Sequence, residues 1–206
     1  PLVTLALADL SKVSIVTHGG ECTWAEIASI ELQACELESN CVVGLGGGKA
    51  LDTAKAVANN LNVPCIVVPT IAASDAPCSA LAIIYKDDGS LDQAMHLNRN
   101  PDVVIADTSL IAAAPTRFLI AGIGDGLATC LEATACRLSN ANNTFGFPGV
   151  ALAFEIARLC EITLFEFGRQ AVAECNEGAP GLATERVVEA NILLSGLGFE
   201  SCGVAA

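Results

Sequence analysis

Residues 41–58, Cys-Val-Val-Gly-Leu-Gly-Gly-Gly-Lys-Ala-Leu-Asp-Thr-Ala-Lys-Ala-Val-Ala, restrict the fold more than any other stretch of the chain. Cys41, Val42 and Val43 form a short, apolar, partly β-branched run, the pattern of a buried strand. Gly44, Gly46, Gly47 and Gly48 follow at once, and residues 50–58 then read as a helix. A strand, a glycine-rich turn and a helix start together make an anion cradle. The first helical turn carries unpaired N–H groups and a partial positive charge, and glycine removes the Cβ that would hold a phosphate away. The spacing is not the dinucleotide fingerprint, which counted from Gly44 needs glycine where Lys49 stands, and it is not a P-loop. The alternative is a turn without a ligand, in which four glycines cost conformational entropy with no return.

A chain of 206 residues is enough for one large domain or two small ones. No uncharged apolar run reaches the length of a bilayer span, and the first residues lack the basic start of a signal peptide, so neither membrane nor export is expected. A net charge of −13 argues against a nucleic-acid partner, whose phosphates it would repel. Ten cysteines are spread among apolar neighbours without a C-x-x-C pair, which is neither zinc spacing nor a disulfide framework. They read as reduced thiols packed as small hydrophobes in a cytoplasmic protein. A catalytic cysteine lacks support, since His18 and His96 are the only histidines.

Along the chain, residues 2–12 read as helix, 13–17 as a β-branched strand and 24–39 as an amphipathic helix. Residues 64–69 form a second buried strand stopped by Pro69, so strand and helix alternate as in parallel βαβ units. Residues 79–85 and 90–97 flank the turn Lys86-Asp87-Asp88-Gly89 and read as a hairpin. Residues 102–107 are one more strand. Residues 111–114 form a short piece ending at Pro115, and 116–138, 149–176 and 183–203 are long apolar-periodic helices. A boundary is expected near residue 114, with an α/β part at 1–114 and an all-helical part at 115–206.

Two further stretches carry chemistry. Residues 69–79, Pro-Thr-Ile-Ala-Ala-Ser-Asp-Ala-Pro-Cys-Ser, follow a buried strand on the edge where open α/β sheets bind ligands. Asp75 there is placed to accept hydrogen bonds from a ligand hydroxyl, and a helix cap or Asx-turn is the alternative. Gly122, Gly124 and Gly126 lie inside a helical pattern, each costing about 1 kcal/mol against alanine. Asp125 sits among them in an apolar setting that asks for a metal or cationic partner, unless it is an N-cap at a helix start. His96 reads as a partly exposed hairpin residue, and Arg117, Arg158 and Arg186 as helix-surface charges.

The ordered motifs G-L-G-G-G-K-A-L-D-T-A-K at 44–55, P-T-I-A-A-S-D-A-P-C-S-A-L at 69–81, Asp107-Thr108 and A-G-I-G-D-G-L-A-T at 121–129 resemble one family, as does the segment 188–201. The chain resembles the metal-dependent, iron-containing-type polyol and alcohol dehydrogenases, and the glycerol-oxidising branch among them. The resemblance runs from Gly19 to Ala206. It implies a dehydroquinate synthase-like architecture: a parallel-sheet α/β domain that binds NAD, followed by an all-helical metal domain across a cleft, both incomplete here.

By motif position, Gly46, Gly47, Gly48, Lys49, Ala50, Leu51 and Asp52 would follow the NAD pyrophosphate, and Thr70, Ile71, Ala72 and Ala73 would continue that site. Ala73 stands where the family more often has serine. Ser79, Leu81 and Tyr85 would line the path from adenosine to nicotinamide. Asp75 would hold polyol hydroxyls, and Asp125 would be both the catalytic group and the first zinc ligand. The two histidines that complete the family's metal site would lie beyond Gly203-Val204-Ala205-Ala206, so the chain is expected to be an internal fragment and inactive alone. The implied reaction is oxidation of glycerol to dihydroxyacetone with NAD and one zinc ion, by a homo-oligomer that takes a small-molecule polyol. A related metal-dependent dehydrogenase of another diol, such as 1,2-propanediol, or of an alcohol, and a short nucleotide-binding product without catalysis, are the competing expectations.

Overall fold

The computed structural model describes residues 12–202, with the backbone alone at 201 and 202. The helix expected over 2–12 falls, but for its last residue, outside the described residues. In chain order the elements are α1 (Trp24–Glu36), β1 (Val42–Gly46), α2 (Gly48–Leu61), β2 (Cys65–Pro69), β3 (Leu81–Tyr85), β4 (Leu91–His96), β5 (Val103–Val104), α3 (Thr108–Ala112), α4 (Arg117–Ser139), α5 (Ala151–Asn176), α6 (Leu182–Glu189), a π-helical segment (Ala190–Leu194) and α7 (Ser195–Cys202).

β1, β2 and β5 form a parallel sheet in that order. Val42 stands opposite Cys65 and Gly46 opposite Pro69, and β5 joins through Ile66–Val103 and Val67–Val104. β3 and β4 form the antiparallel hairpin, with a register irregularity at Ile84/Tyr85. α2 connects the first two strands and is buried on two sides. Its Leu51 and Ala58 pack with Cys65 and Val67, and its Ala56 and Val57 pack with Cys22, Ile27, Ala82 and Ile84. The period of two along a strand sends the alternate side chains to the other face. There Val43, Leu45, Val103 and Ile105 remain exposed.

From Thr108 onward every element is helical. The helices share a core of Leu119, Cys160, Leu164, Ala171, Cys175, Val187 and Ile192, into which Ala72 from the α/β part is inserted. By length and composition α4 is apolar enough to cross a bilayer. It nevertheless carries Arg117, Asp125, Glu132 and Arg137, and it packs against α5 and α7.

Three expectations need correction. Residues 13–17 form no strand, because their β-branched side chains stay largely exposed and the backbone has no ladder to join. The strand at 102–107 shrinks to Val103–Val104, since the Asp107 carboxylate turns to cap α3 through the Ser109 and Leu110 N–H groups. The single helix expected at 183–203 is broken by the π-helical turn.

Candidate active site

The end of β1 and the start of α2 build the first half of the site. Gly46 has φ +155°, a conformation side-chain-bearing residues rarely adopt, and a Cβ there would lie 2.9 Å from Ala50 Cβ. Gly47 is the N-cap of α2 and supplies no side-chain cap, and the first turn holds no acidic residue. The Leu51 N–H reaches back to the Gly47 carbonyl at 3.1 Å, so the N–H groups of residues 48–50 precede the first intrahelical bond. This is the anion-attracting end of a 14-residue helix. A Cβ at Gly47 would meet only the tip of Ile71, Cδ1 at 3.0 Å, and one at Gly48 would make ordinary contact with Ala76. The 70–76 segment is therefore the facing wall of the cradle, tied on by the Thr70 N–H to the Gly46 carbonyl at 2.9 Å. Lys49 closes the side, ion-paired with Glu21 and with its Nζ 5.2 Å above the Tyr85 ring.

Of the residues expected along NAD, Gly46, Gly47, Gly48, Lys49, Ala50, Thr70, Ile71, Ala73 and Tyr85 gather around this edge. Leu51, Asp52, Ala72, Ser79 and Leu81 are buried. Asp52 accepts from the Ile83 N–H at 3.0 Å and pairs with Lys55 Nζ at 2.9 Å. Burial raises the Asp52 pKa, and the Lys55 charge opposes the rise. Lys55, buried to 2% exposure, also donates to the carbonyls of Ala76 (2.7 Å), Leu81 (2.5 Å) and Ser79 (3.3 Å). A buried ammonium is tolerated only when oxygens surround it. Here they anchor the far end of the 70–79 loop to α2. Sequence reasoning missed Lys55. The signal was an Asp-x-x-Lys pair inside an otherwise apolar helix, three residues apart and so on one face.

The second half of the site joins two motifs 50 residues apart. The Asp75 N–H donates to Asp125 Oδ2 at 3.2 Å. Asp125 is not an N-cap, because α4 begins two turns earlier at Arg117. Two of the three glycines around it have packing reasons. A Cβ at Gly122 would stand 2.0 Å from the Ala72 carbonyl oxygen, and one at Gly126 2.7 Å from Leu164 Cδ1. Gly124 faces open space.

Burial, and then the Asp125 charge, push the Asp75 carboxyl up to about 7, while Ser195, donating to Oδ2 at 3.0 Å, pulls it down. Crowding by the surrounding protein raises Asp125, and the bond from the Asp75 amide lowers it. Glu132, two turns along α4, is raised by burial and by the Asp125 charge. An acidic, cation-seeking corner thus faces the edge that carries the cradle.

Among the described residues no group of three or more His, Cys, Asp or Glu could hold a metal ion. His18 bonds Thr53, and His96 lies against Phe145 with the rings tilted by 54°. A catalytic zinc takes three protein ligands and an open position. Asp125 suits the role of one oxygen ligand, and these residues alone do not complete the set.

Residues 3–108 match the family model of iron-containing alcohol dehydrogenase. The chain is 52% identical over 195 residues to glycerol dehydrogenase of Thermotoga maritima, covering 95% of this chain and 53% of that protein. It is 44% identical over 203 residues to glycolaldehyde reductase of Halobacterium salinarum, covering 98% of this chain and 55% of that protein. The crystal structure of glycerol dehydrogenase from Schizosaccharomyces pombe superposes with a TM-score of 0.93 at 38% identity, covering 99% of this chain and 52% of that one. The chain thus spans about half the length of the curated relatives it matches, and over that span it has their parallel sheet followed by helices. On the family match and on this fold, the chain belongs to the iron-containing alcohol dehydrogenases.

Proposed function

We propose that this chain forms the cofactor edge and one wall of the substrate cleft of an NAD-dependent glycerol dehydrogenase, which converts glycerol to dihydroxyacetone. The observation that carries the reading is the Asp75 amide on Asp125 Oδ2 at 3.2 Å, beside an uncapped helix N-terminus. Family membership implies NAD(P) and a metal, and the polyol relatives support a small-molecule substrate. In this reading Gly46, Gly47, Gly48, Lys49, Ala50, Leu51 and Asp52, with Thr70, Ile71, Ala72, Ala73, Ser79, Leu81 and Tyr85, serve NAD. Leu51, Asp52, Ala72, Ser79 and Leu81 act through the backbone they hold, since their side chains are buried. The α/β unit ends near residue 114, the helical unit begins at 115, and the whole protein is a homo-oligomer.

Asp75 holds the polyol: its carboxyl oxygens accept hydrogen bonds from hydroxyl groups, most strongly above about pH 7 where the group is ionised, and fix the carbon to be oxidised against the cradle edge. NAD, held by the residues named above, would supply the hydride acceptor for that carbon, and the hydroxyl proton would pass to solvent. Asp125 is one ligand of the metal, which we take to be zinc, with its other ligands outside the described residues. The nine described cysteines are unpaired thiols, in keeping with a cytoplasmic enzyme.

The test is Asp75→Ala in the full-length protein containing this chain. The Michaelis constant for glycerol is expected to rise about tenfold or more, the worth of a charge-assisted hydrogen bond, with that for NAD within about twofold. Equal changes in both constants would make Asp75 a structural cap. The 44% identity to a glycolaldehyde reductase favours one second reading, a two-carbon hydroxyaldehyde substrate. Turnover of glycerol, 1,2-propanediol and glycolaldehyde side by side separates the two.

A further inference from the structure

The run from Ala190 onward grips the loop that carries Asp75. Asn191 Nδ2 donates to the Ala72 carbonyl at 3.1 Å, and Ser195 Oγ donates to Asp75 Oδ2 at 3.0 Å. Gly196 lies so close to the loop that a Cβ there would stand 2.8 Å from Cys78 Cβ. The Glu200 carboxylate accepts from the Ala80 N–H and from Asn100 Nδ2. Positions 191, 195, 196 and 200 repeat at helical spacing, so one face holds the loop from Ala72 to Ala80.

Ser195 differs from the others in gripping a side chain. Its hydroxyl has one proton, and the geometry aims that proton at Asp75 Oδ2. Ser195 therefore donates to Asp75 and accepts from Thr129 Oγ1, 2.7 Å away. Thr129 has another acceptor, the Asp125 carbonyl, but at 3.4 Å it is the poorer one. Both hydroxyls are buried, Ser195 at 0% and Thr129 at 4% exposure, so water does not compete for them. The relay from Thr129 to Ser195 to Asp75 thus occupies Oδ2 and leaves Oδ1 of Asp75 for a ligand.

We propose that Ser195 is a positioning residue for the substrate, orienting the Asp75 carboxylate toward the polyol, with Thr129 setting the direction of the Ser195 hydroxyl. This rests on the polyol-dehydrogenase reading.

The test is Ser195→Ala in the full-length protein containing this chain, with Thr129→Val as a second variant that removes only the donor behind it. Ser195→Ala is expected to raise the Michaelis constant for glycerol about five- to tenfold, with that for NAD within about twofold. Thr129→Val is expected to shift the glycerol constant the same way by less, and it decides the matter if Ser195→Ala does not fold. Crystal structures of the variants give a readout independent of activity: the Asp75 carboxylate should leave its present rotamer or split between two. An unsubstituted protein that does not turn over polyols overturns the functional reading alone, and the Asp75 rotamer then decides the positioning role. An active unsubstituted protein whose variants keep both constants and the Asp75 rotamer overturns the positioning role alone.

Discussion

Asp75 and Asp125 bring two carboxylates into one corner, and the amide of one residue is already spent on the side chain of the other. A cation is the natural relief for such a pair. Asp125→Asn keeps the shape and the hydrogen bond from the Asp75 amide but offers a poor metal ligand. In the full-length protein it is expected to lose zinc on dialysis and to lose activity with it. Stoichiometric zinc by atomic absorption in the variant would remove Asp125 from the metal site. The cradle makes its own prediction. The Cβ of Gly47→Val meets the flexible end of Ile71, so the fold should survive while NAD affinity falls, because backbone approach at the helix start is blocked. Calorimetry showing unchanged NAD affinity would move the pyrophosphate elsewhere. Gly44→Val is the contrasting control. It collides with Ala54 Cβ at 2.7 Å inside the strand–helix packing and should unfold rather than simply weaken binding.

At the scale of elements, α4 carries three glycines, and two of them should respond to alanine with opposite signs. Gly122→Ala drives a Cβ into the Ala72 carbonyl and should destabilise by about 3 kcal/mol, at the upper end of overpacking costs. Gly124→Ala meets open space within a helix and should stabilise by about 0.5–1 kcal/mol. Urea denaturation of the two variants checks both signs, and equal effects would contradict this account of the helix. The costs were legible in the sequence, where three glycines interrupt a helical pattern, but the partners were not, since Ala72 is 50 residues away.

The same distinction explains the other outcomes. β1, β2, the hairpin and the two long helices α4 and α5 are written in local periodicity and turn chemistry, and they stand where those patterns place them. Residues 13–17 have the composition of a strand, but a strand needs a neighbour, and composition does not say whether one is present. The π-helical turn at Ala190–Leu194 has no local signature. It stands where the buried Asn191 reaches the Ala72 carbonyl, a long-range contact invisible to a sequence window. Asp75 and Asp125 were each visible as a carboxylate among small residues. That they meet, and that Ser195 and Thr129 serve them, follows from how α4 and α7 pack.

At the scale of the whole molecule, the acidic corner should set how stability depends on pH. In the folded, metal-free chain the Asp75 carboxyl lies at about 7, with Asp125 and Glu132 also raised. In the unfolded chain an aspartate titrates near about 3.9. A carboxyl raised by folding binds its proton more tightly in the native state, so its contribution is full below the unfolded value. It is lost as pH rises toward the folded value. The chain should therefore be more stable near pH 5 than near pH 8, by about 2 kcal/mol once partial exposure is allowed for. Asp88 and Glu174 have lowered values and act with the opposite sign, Asp88 at an exposed turn and Glu174 through the bonds it accepts from Gly181 and Thr184. The net charge of −13 adds self-repulsion that also grows with pH, so the slope alone does not identify its source. Asp75→Asn does. It keeps the shape, removes the ionisable group, relieves Asp125 of a like charge, and should flatten most of the difference between pH 5 and pH 8. Urea midpoints at the two pH values, with and without the substitution, measure this. A slope that survives Asp75→Asn intact would assign the pH dependence to general repulsion and to Asp52, whose carboxyl burial also raises, and not to this corner.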